Sequence, residues 1–420
     1  MAPDWLKGYT KLELLPSERG PMICKSPATS TVTFYSGCTA KAEQQLTKRV
    51  AAIVAANPWL ASFLEKDPDS GKLAAYFPPD ANSSGCFKRR NTLKLSRRNA
   101  SYHELVTGLG DALCKTSEES VGNKTPLWQV SLIPDAEEPE QRFALVVSCN
   151  HSLLDGHGFY KVYEMLSHEA KIEALSPTRK QELPEKILEA MGGEPSLMAA
   201  SPPGFLLRFA GGMLQNAVFP MTKSLGFVVD PNWIEQQKKA AKNNEDKSVQ
   251  YVSTNDIIVS SFSKSCEADC VSMAINFRGR IDGCEESDLG NYEDLVTYMP
   301  TDFATPVLIR KSVIGPLYTR AAEPHTEMLT NRQHLRAKYG VITNWATFAR
   351  PLDIVGAHEQ LHLPLFDFPK STPASMLGAM VIFKPHPNGS EVACLCGGSQ
   401  AMIDRVRASG MVDRPLGIEV

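Results

Sequence analysis

Phe143-Ala144-Leu145-Val146-Val147-Ser148-Cys149, followed by Asn150-His151-Ser152-Leu153-Leu154-Asp155-Gly156, decides the reading of this chain. The first seven residues are an apolar run, the pattern of a strand buried on both faces. A His, an Asp four residues on and a Gly then fall in one tight turn. Imidazole is the side chain that exchanges a proton near neutral pH, so His151 is a candidate general base. Leu153 and Leu154 separate Asp155 from it, which suits Asp155 to an ion pair holding the turn rather than to a proton relay. Gly156 lets the backbone bend into a following helix.

Outward from this centre, Leu127 to Ile133 alternates like a strand and makes a hairpin with the Phe143 strand across the polar loop Asp135–Gln141. Phe159 to Leu166 has an apolar helical face. Thr39 to Ala56 carries Leu46, Val50, Ile53 and Val54 at helical spacing, and Asn57-Pro58 ends it. Leu73–Phe77 reads as a strand and Tyr102–Leu113 as a short helix. After Asp230, an N-cap, Pro231 opens a helix to Lys242. Ser253-Thr254-Asn255-Asp256 caps another, Ile257 to Ser265. Val271–Phe277 is a strand running into Arg278-Gly279-Arg280. Strands follow at Ala379–Lys384 and Val392–Cys396, then a helix from Gln400 to Ala408.

Pro and Gly punctuate the middle of the chain. Three parts are therefore expected: residues 1–175 with the motif, a Pro/Gly-rich crossover linker over 176–229, and residues 230–420. The apolar stretch 204–221 is expected to pack along the protein, with a peripheral membrane-surface helix as the alternative. No apolar run reaches the length that spans a bilayer.

Composition bounds the function. Of 420 residues, 43% are hydrophobic and 22% charged, the balance of a globular protein. A net charge of −3 argues against nucleic acid as a partner. The basic run Lys88-Arg89-Arg90 with Lys94, Arg97 and Arg98 reads as a solvated surface. The ten cysteines show no CxxC spacing, which fits reduced, buried thiols and a cytoplasmic protein. His151, Asp155 and His157 lack a third-segment ligand, so no metal is expected. No G-x-S-x-G elbow supports a serine hydrolase.

His151-Ser152-Leu153-Leu154-Asp155-Gly156 resembles the HxxxDG signature of the CoA-dependent acyltransferase superfamily. Its members include chloramphenicol acetyltransferase, the BAHD acyltransferases, wax ester synthases and condensation domains. Other segments resemble the superfamily's in the same order. Pro126-Leu127-Trp128 opens the strand ahead of the motif. Ser253-Thr254-Asn255-Asp256 is similar to "S-x-N-D", and Ile275-Asn276-Phe277-Arg278-Gly279-Arg280 to "V-[ND]-x-R-x-R". Gly290-Asn291 matches "G-N", and Ile342-Thr343-Asn344-Trp345 resembles "[VI]-T-S-W". Leu363-Pro364-Leu365-Phe366-Asp367-Phe368 resembles the start of "D-F-G-W-G", but Pro369-Lys370-Ser371 replaces its end. Asn150 stands where wax ester synthases and condensation domains have a first His. The resemblance is thus to a divergent member.

The resemblance implies an α/β fold with mixed sheets: two chloramphenicol-acetyltransferase-like subdomains with a tunnel at their interface. It implies a monomer that binds no cofactor and uses acyl-CoA as co-substrate with a small-molecule acceptor. His151 would be the base, and Asp155 would pair with Arg278 or Arg280, beside a structural Gly156. Thr343, Asn344 or Trp345 would serve the oxyanion or the substrate. The expected activity is O-acylation of a small, apolar acceptor. N-acylation or condensation, and a catalytically inactive binding module, are the alternatives.

Overall fold

The computed structural model describes residues 6–78, 80–93, 95, 101–242 and 249–416. Lys94, Arg97 and Arg98 of the basic run lie outside them. The first half contributes β1 (Thr10–Glu13), β2 (Thr29–Gly37), β3 (Phe63–Lys66), β4 (Leu73–Phe77), β5 (Phe87–Arg89), β6 (Trp128–Pro134) and β7 (Arg142–Cys149). The rest contributes β8 (Lys223–Val229), β9 (Cys270–Asn276), β10 (Glu293–Tyr298), β11 (Tyr339–Asn344), β12 (Ala357–Pro364), β13 (Leu377–Phe383), β14 (Ala393–Gly398) and β15 (Val412–Pro415).

Two mixed sheets organise the chain. One runs β12-β2-β7-β6-β5 and the other β10-β9-β11-β13-β14-β8-β15; β1, β4 and β3 form a small third sheet. The expected hairpin is present, with Val130 opposite Val147 in the antiparallel pair β6/β7. Strand alternation sends each central strand into two cores. Phe143, Leu145 and Val147 face the helices Thr39–Ala56 and Gly156–Glu164, whereas Ala144 and Val146 face the other sheet. This two-sided burial is why β7 reads as an apolar run. The seven-stranded sheet packs its outer face on the helices Pro231–Lys242, Thr254–Ser265 and Gln400–Ala408.

The middle of the chain departs from the linker expectation. It holds helices Leu183–Ala190, Leu197–Ala200 and Pro203–Val218 and the strand β8, which sits between β14 and β15. Prolines stand in the first turn of two of these helices, where no amide hydrogen bond is lost. Gly192 and Gly193 do follow a helix end, with φ of +82° and +79°, whereas Gly204 and Gly212 are close-contact sites. A Cβ on Gly204 would lie 2.1 Å from the Asn331 carbonyl oxygen, and one on Gly212 2.9 Å from Met376 Sδ. The 229/230 boundary therefore follows a strand of the second sheet. Conversely β12, from the second half, pairs antiparallel with β2, with Leu363 opposite Val32.

All ten cysteines are free thiols and eight are buried. Arg90 of the basic run is buried rather than solvated, its guanidinium bonded to Asp111 and, at 3.2 Å, to Ser131.

Candidate active site

The motif is the turn between β7 and the helix Gly156–Glu164. Asn150 organises it: its side-chain oxygen accepts from Ser152 N at 3.0 Å, and its carbonyl from Leu153 N at 3.0 Å. Asp155 is the helix N-cap, with Oδ1 accepting from Gly158 N at 2.8 Å. Its Oδ2 accepts from Arg278 Nη1 at 2.7 Å and from Tyr292 N at 3.3 Å. Arg278 also donates to the carbonyls of Asp288 (2.7 Å) and Gly290 (2.8 Å), and to Asn276 Oδ1 (2.9 Å). Both charged side chains are sealed, at 0% and 1% exposure, so the pair is charge-assisted and out of reach of salt.

The sequence left Arg278 and Arg280 equivalent on the premise of a continuing strand. The strand stops at Asn276; Gly279 takes a positive φ of 67°, and Arg280 N bonds back to the Phe277 carbonyl. Arg280 is exposed, bonded to the Val313 carbonyl at 3.1 Å and stacked near Tyr318. It lies outside the site.

A second buried ion pair clamps the same turn, and the sequence reading missed it. Arg179 Nε lies 3.0 Å from both Glu18 oxygens, and both side chains are 0% exposed. Arg179 Nη2 donates to the Leu153 carbonyl at 2.6 Å. Glu18 Oε1 accepts from Asn291 N at 2.9 Å and Nδ2 at 3.2 Å, and Asn291 Nδ2 also donates to the His151 carbonyl at 2.9 Å. Gly290 makes room for this pair: its φ is +127°, and a Cβ would lie 2.9 Å from Arg179 Nε. The Gly290-Asn291 dipeptide was the available signal.

His151 is half-buried, and among the described residues its ring makes no hydrogen bond. Nδ1 is sealed without a partner, which leaves Nε2 as the nitrogen with access. Two other histidines show what a structural role looks like. His362 lies between Thr33 Oγ1 (2.8 Å) and Tyr160 Oη (2.9 Å), and burial pushes its pKa down to about 3. His334 Nδ1 lies 2.8 Å from Tyr339 Oη. His157 is engaged too, with Nε2 3.0 Å from the Glu286 carbonyl and its pKa lowered chiefly by burial.

The inter-sheet core stops near this turn. Val381, Leu395 and Val228 are sealed against Val32, Val146 and Leu363. On the same face, β9, β10 and β11 carry Asn276, Ala274, Glu293, Leu295, Val341 and Thr343, all half-buried. Glu293 stands opposite Asn276, and burial, then the Asp155 charge, pushes its carboxyl up to about 8.

The three residues at the end of β11 behave differently. Asn344 donates to Asn255 Oδ1 at 2.8 Å and accepts from Ala346 N at 2.9 Å, so its amide is engaged. Thr343 makes no side-chain hydrogen bond among the described residues. Trp345 reaches the motif, its Nε1 lying 3.6 Å from where a Cβ on Gly156 would stand. Asn255 belongs to the helix start that Ser253 and Asp256 close as a capping box. Asp367 caps the short helix Phe368–Ser371 instead of continuing a Gly-Trp-Gly loop. A cavity of about 480 Å³, lined by Met221, Tyr339, Met376 and Met402, lies at the opposite end of β11 and includes no predicted site residue. Among the described residues no cluster of His, Cys, Asp and Glu is arranged to hold a metal.

No family model matches the sequence, and no curated protein matches it. Solved structures do match its fold. TRI101 of F. graminearum, complexed with coenzyme A and deoxynivalenol, aligns with a TM-score of 0.58 at 15% identity, over 95% of this chain and 97% of that chain. Vinorine synthase aligns with a TM-score of 0.58 at 14% identity, over 97% of this chain and 100% of that one. The first condensation domain of the calcium-dependent antibiotic synthetase aligns with a TM-score of 0.56 at 13% identity, over 97% and 98%. The chain thus has the two-sheet fold of these structures.

Proposed function

We propose that this chain, with its CoA-dependent acyltransferase fold, transfers an acyl group from a CoA thioester to the hydroxyl of a small acceptor. One observation carries the reading: among the described residues His151 is the histidine with a buried ring nitrogen that has no partner, and the turn around it is clamped by two buried ion pairs. The buried His362, by contrast, is bonded on both sides of its ring. Immobilising the backbone while leaving Nε2 open is what a general base requires.

In the proposed reaction, His151 Nε2 takes the acceptor's proton as its oxygen attacks the thioester carbonyl. The carbon–sulfur bond then breaks, and the CoA thiolate takes the proton back from the imidazolium. No acyl-enzyme forms; holding both substrates together supplies much of the acceleration. The half-buried face of β9, β10 and β11 would border the substrates. Thr343 and Trp345, whose donors are uncommitted among the described residues, would stabilise the oxyanion rather than Asn344. Coenzyme A in the TRI101 complex supports the choice of donor.

The test is thiol release from acetyl-CoA by the full-length protein with a panel of small alcohols and amines. His151→Ala should lower turnover about 10²- to 10⁴-fold and leave the melting curve unchanged. Full turnover in that variant would overturn the role of His151. Thiol release with none of the acceptors would favour a binding module.

A further inference from the structure

We infer that the helix Pro203–Val218 and the turn after it form a docking face for an anionic lipid surface. Of the ten large apolar side chains exposed among the described residues, six lie between Leu206 and Met221: Leu206, Leu207, Leu214, Val218, Phe219 and Met221. Leu207 and Leu214 are 67% and 69% exposed, and they stand seven residues apart, two turns along one face. So concentrated an apolar surface marks an interaction site. The cavity at Met221 continues it inward.

Charge selects the occupant. The helix packs on the short helix Asn331–His334 through Gly204, whose N donates to Asn331 Oδ1 at 3.1 Å. Exposed Arg332, Leu335 and Arg336 therefore flank the stripe at its start, and exposed Lys223 flanks its end. None of these three cations forms an ion pair among the described residues. Segments 195–229 and 328–352 contain no Asp or Glu. Lys338, nearby, is already paired with Glu267. A second copy of the chain meeting this face symmetrically would set the same cations against one another, with no carboxylate in either segment to receive them. An anionic bilayer receives both the apolar stripe and its basic rim. Among the described residues no helix is long and apolar enough to cross a membrane, so the contact would be peripheral. The inference is independent of acyl transfer, and its test needs no activity.

The test is co-sedimentation of the full-length protein with vesicles of phosphatidylcholine alone or mixed with phosphatidylserine. Binding to the mixed vesicles, weak binding to phosphatidylcholine alone and release by salt are expected. The double substitution Leu207→Glu with Leu214→Glu should reduce the bound protein about tenfold or more, with an unchanged melt because both sites are exposed. Arg332→Glu with Arg336→Glu should weaken binding to the mixed vesicles alone. Equal binding to both vesicles would overturn the charge assignment. Sedimentation no greater than without vesicles would overturn the proposal. So would a dimer in light scattering that the leucine substitutions abolish, which would assign the face to a second copy.

Discussion

Two buried ion pairs hold one turn, and they hold different parts of it. Asp155–Arg278 fixes the start of the helix: one carboxylate oxygen caps Gly158, the other takes the guanidinium. Glu18–Arg179 fixes the turn itself, through the Leu153 carbonyl and, by way of Asn291, the His151 carbonyl. They meet at three consecutive residues. Gly290 O accepts from Arg278, Asn291 N donates to Glu18, and Tyr292 N donates to Asp155. The first pair belongs to a motif and the second does not, yet both are equally sealed. A signature therefore records only part of what positions the residue inside it.

The largest expected effects come from breaking the pairs. Asp155→Ala and Glu18→Ala should each destabilise by about 3–5 kcal/mol, because each strands a buried guanidinium. Denaturant unfolding measures this. A small effect at Glu18 alone would reduce the second pair to a passive contact and end the comparison. Replacing both partners, Glu18→Leu with Arg179→Met, should recover much of the loss, since no unpaired charge stays buried. Acyl transfer should stay impaired in that protein, because the Leu153 carbonyl loses Arg179, and Asn291, which holds the His151 carbonyl, loses Glu18.

These two pairs also separate what was legible in the sequence from what was not. Asp155 and its partner segment sit in patterned stretches, so the pairing could be anticipated, although the choice between Arg278 and Arg280 needed the turn at Gly279. Glu18 sits in a loop, and Arg179 in a stretch that prolines made look like linker. No local periodicity marks residues whose meaning lies 161 positions apart. The same physics sorts the strands. Alternation exposed β6, and continuous apolar runs exposed β7 and β13. β12 stayed hidden because His358, Glu359, Gln360 and His362 break the pattern, and because its partner β2 lies in the other half of the chain. The helix Pro203–Val218 stayed hidden because two of its three glycines, Gly204 and Gly212, serve close packing rather than a break.

Gly290 gives a sharper probe with a smaller effect. Gly290→Ala should destabilise by about 1–3 kcal/mol, from its left-handed φ and from crowding of Arg179 and Glu18. If the crowding matters, the effect shrinks in a Glu18→Ala background and keeps its size in an Arg280→Ala background. Unfolding of the two double variants measures the difference. Equal effects in both would leave backbone strain as the whole cause.

The smallest effect distinguishes the pairs by pH. A third acid borders the Asp155 side: Glu293, opposite Asn276, whose side chain accepts from Arg278. Burial, then the Asp155 charge, raises its pKa from 4.5 to about 8. The folded protein thus keeps a proton that the unfolded chain gives up, so this group's contribution falls as pH rises from 4.5 to about 8. Glu293→Gln should match the native protein near pH 4 and exceed it by about 1 kcal/mol near pH 8, a figure kept low because the carboxyl is half-buried. The gain should persist when Glu18 and Arg179 are replaced together, and should change when Asp155 is replaced by Asn. A gain that followed Glu18 instead would mean that the two clamps share one electrostatic environment.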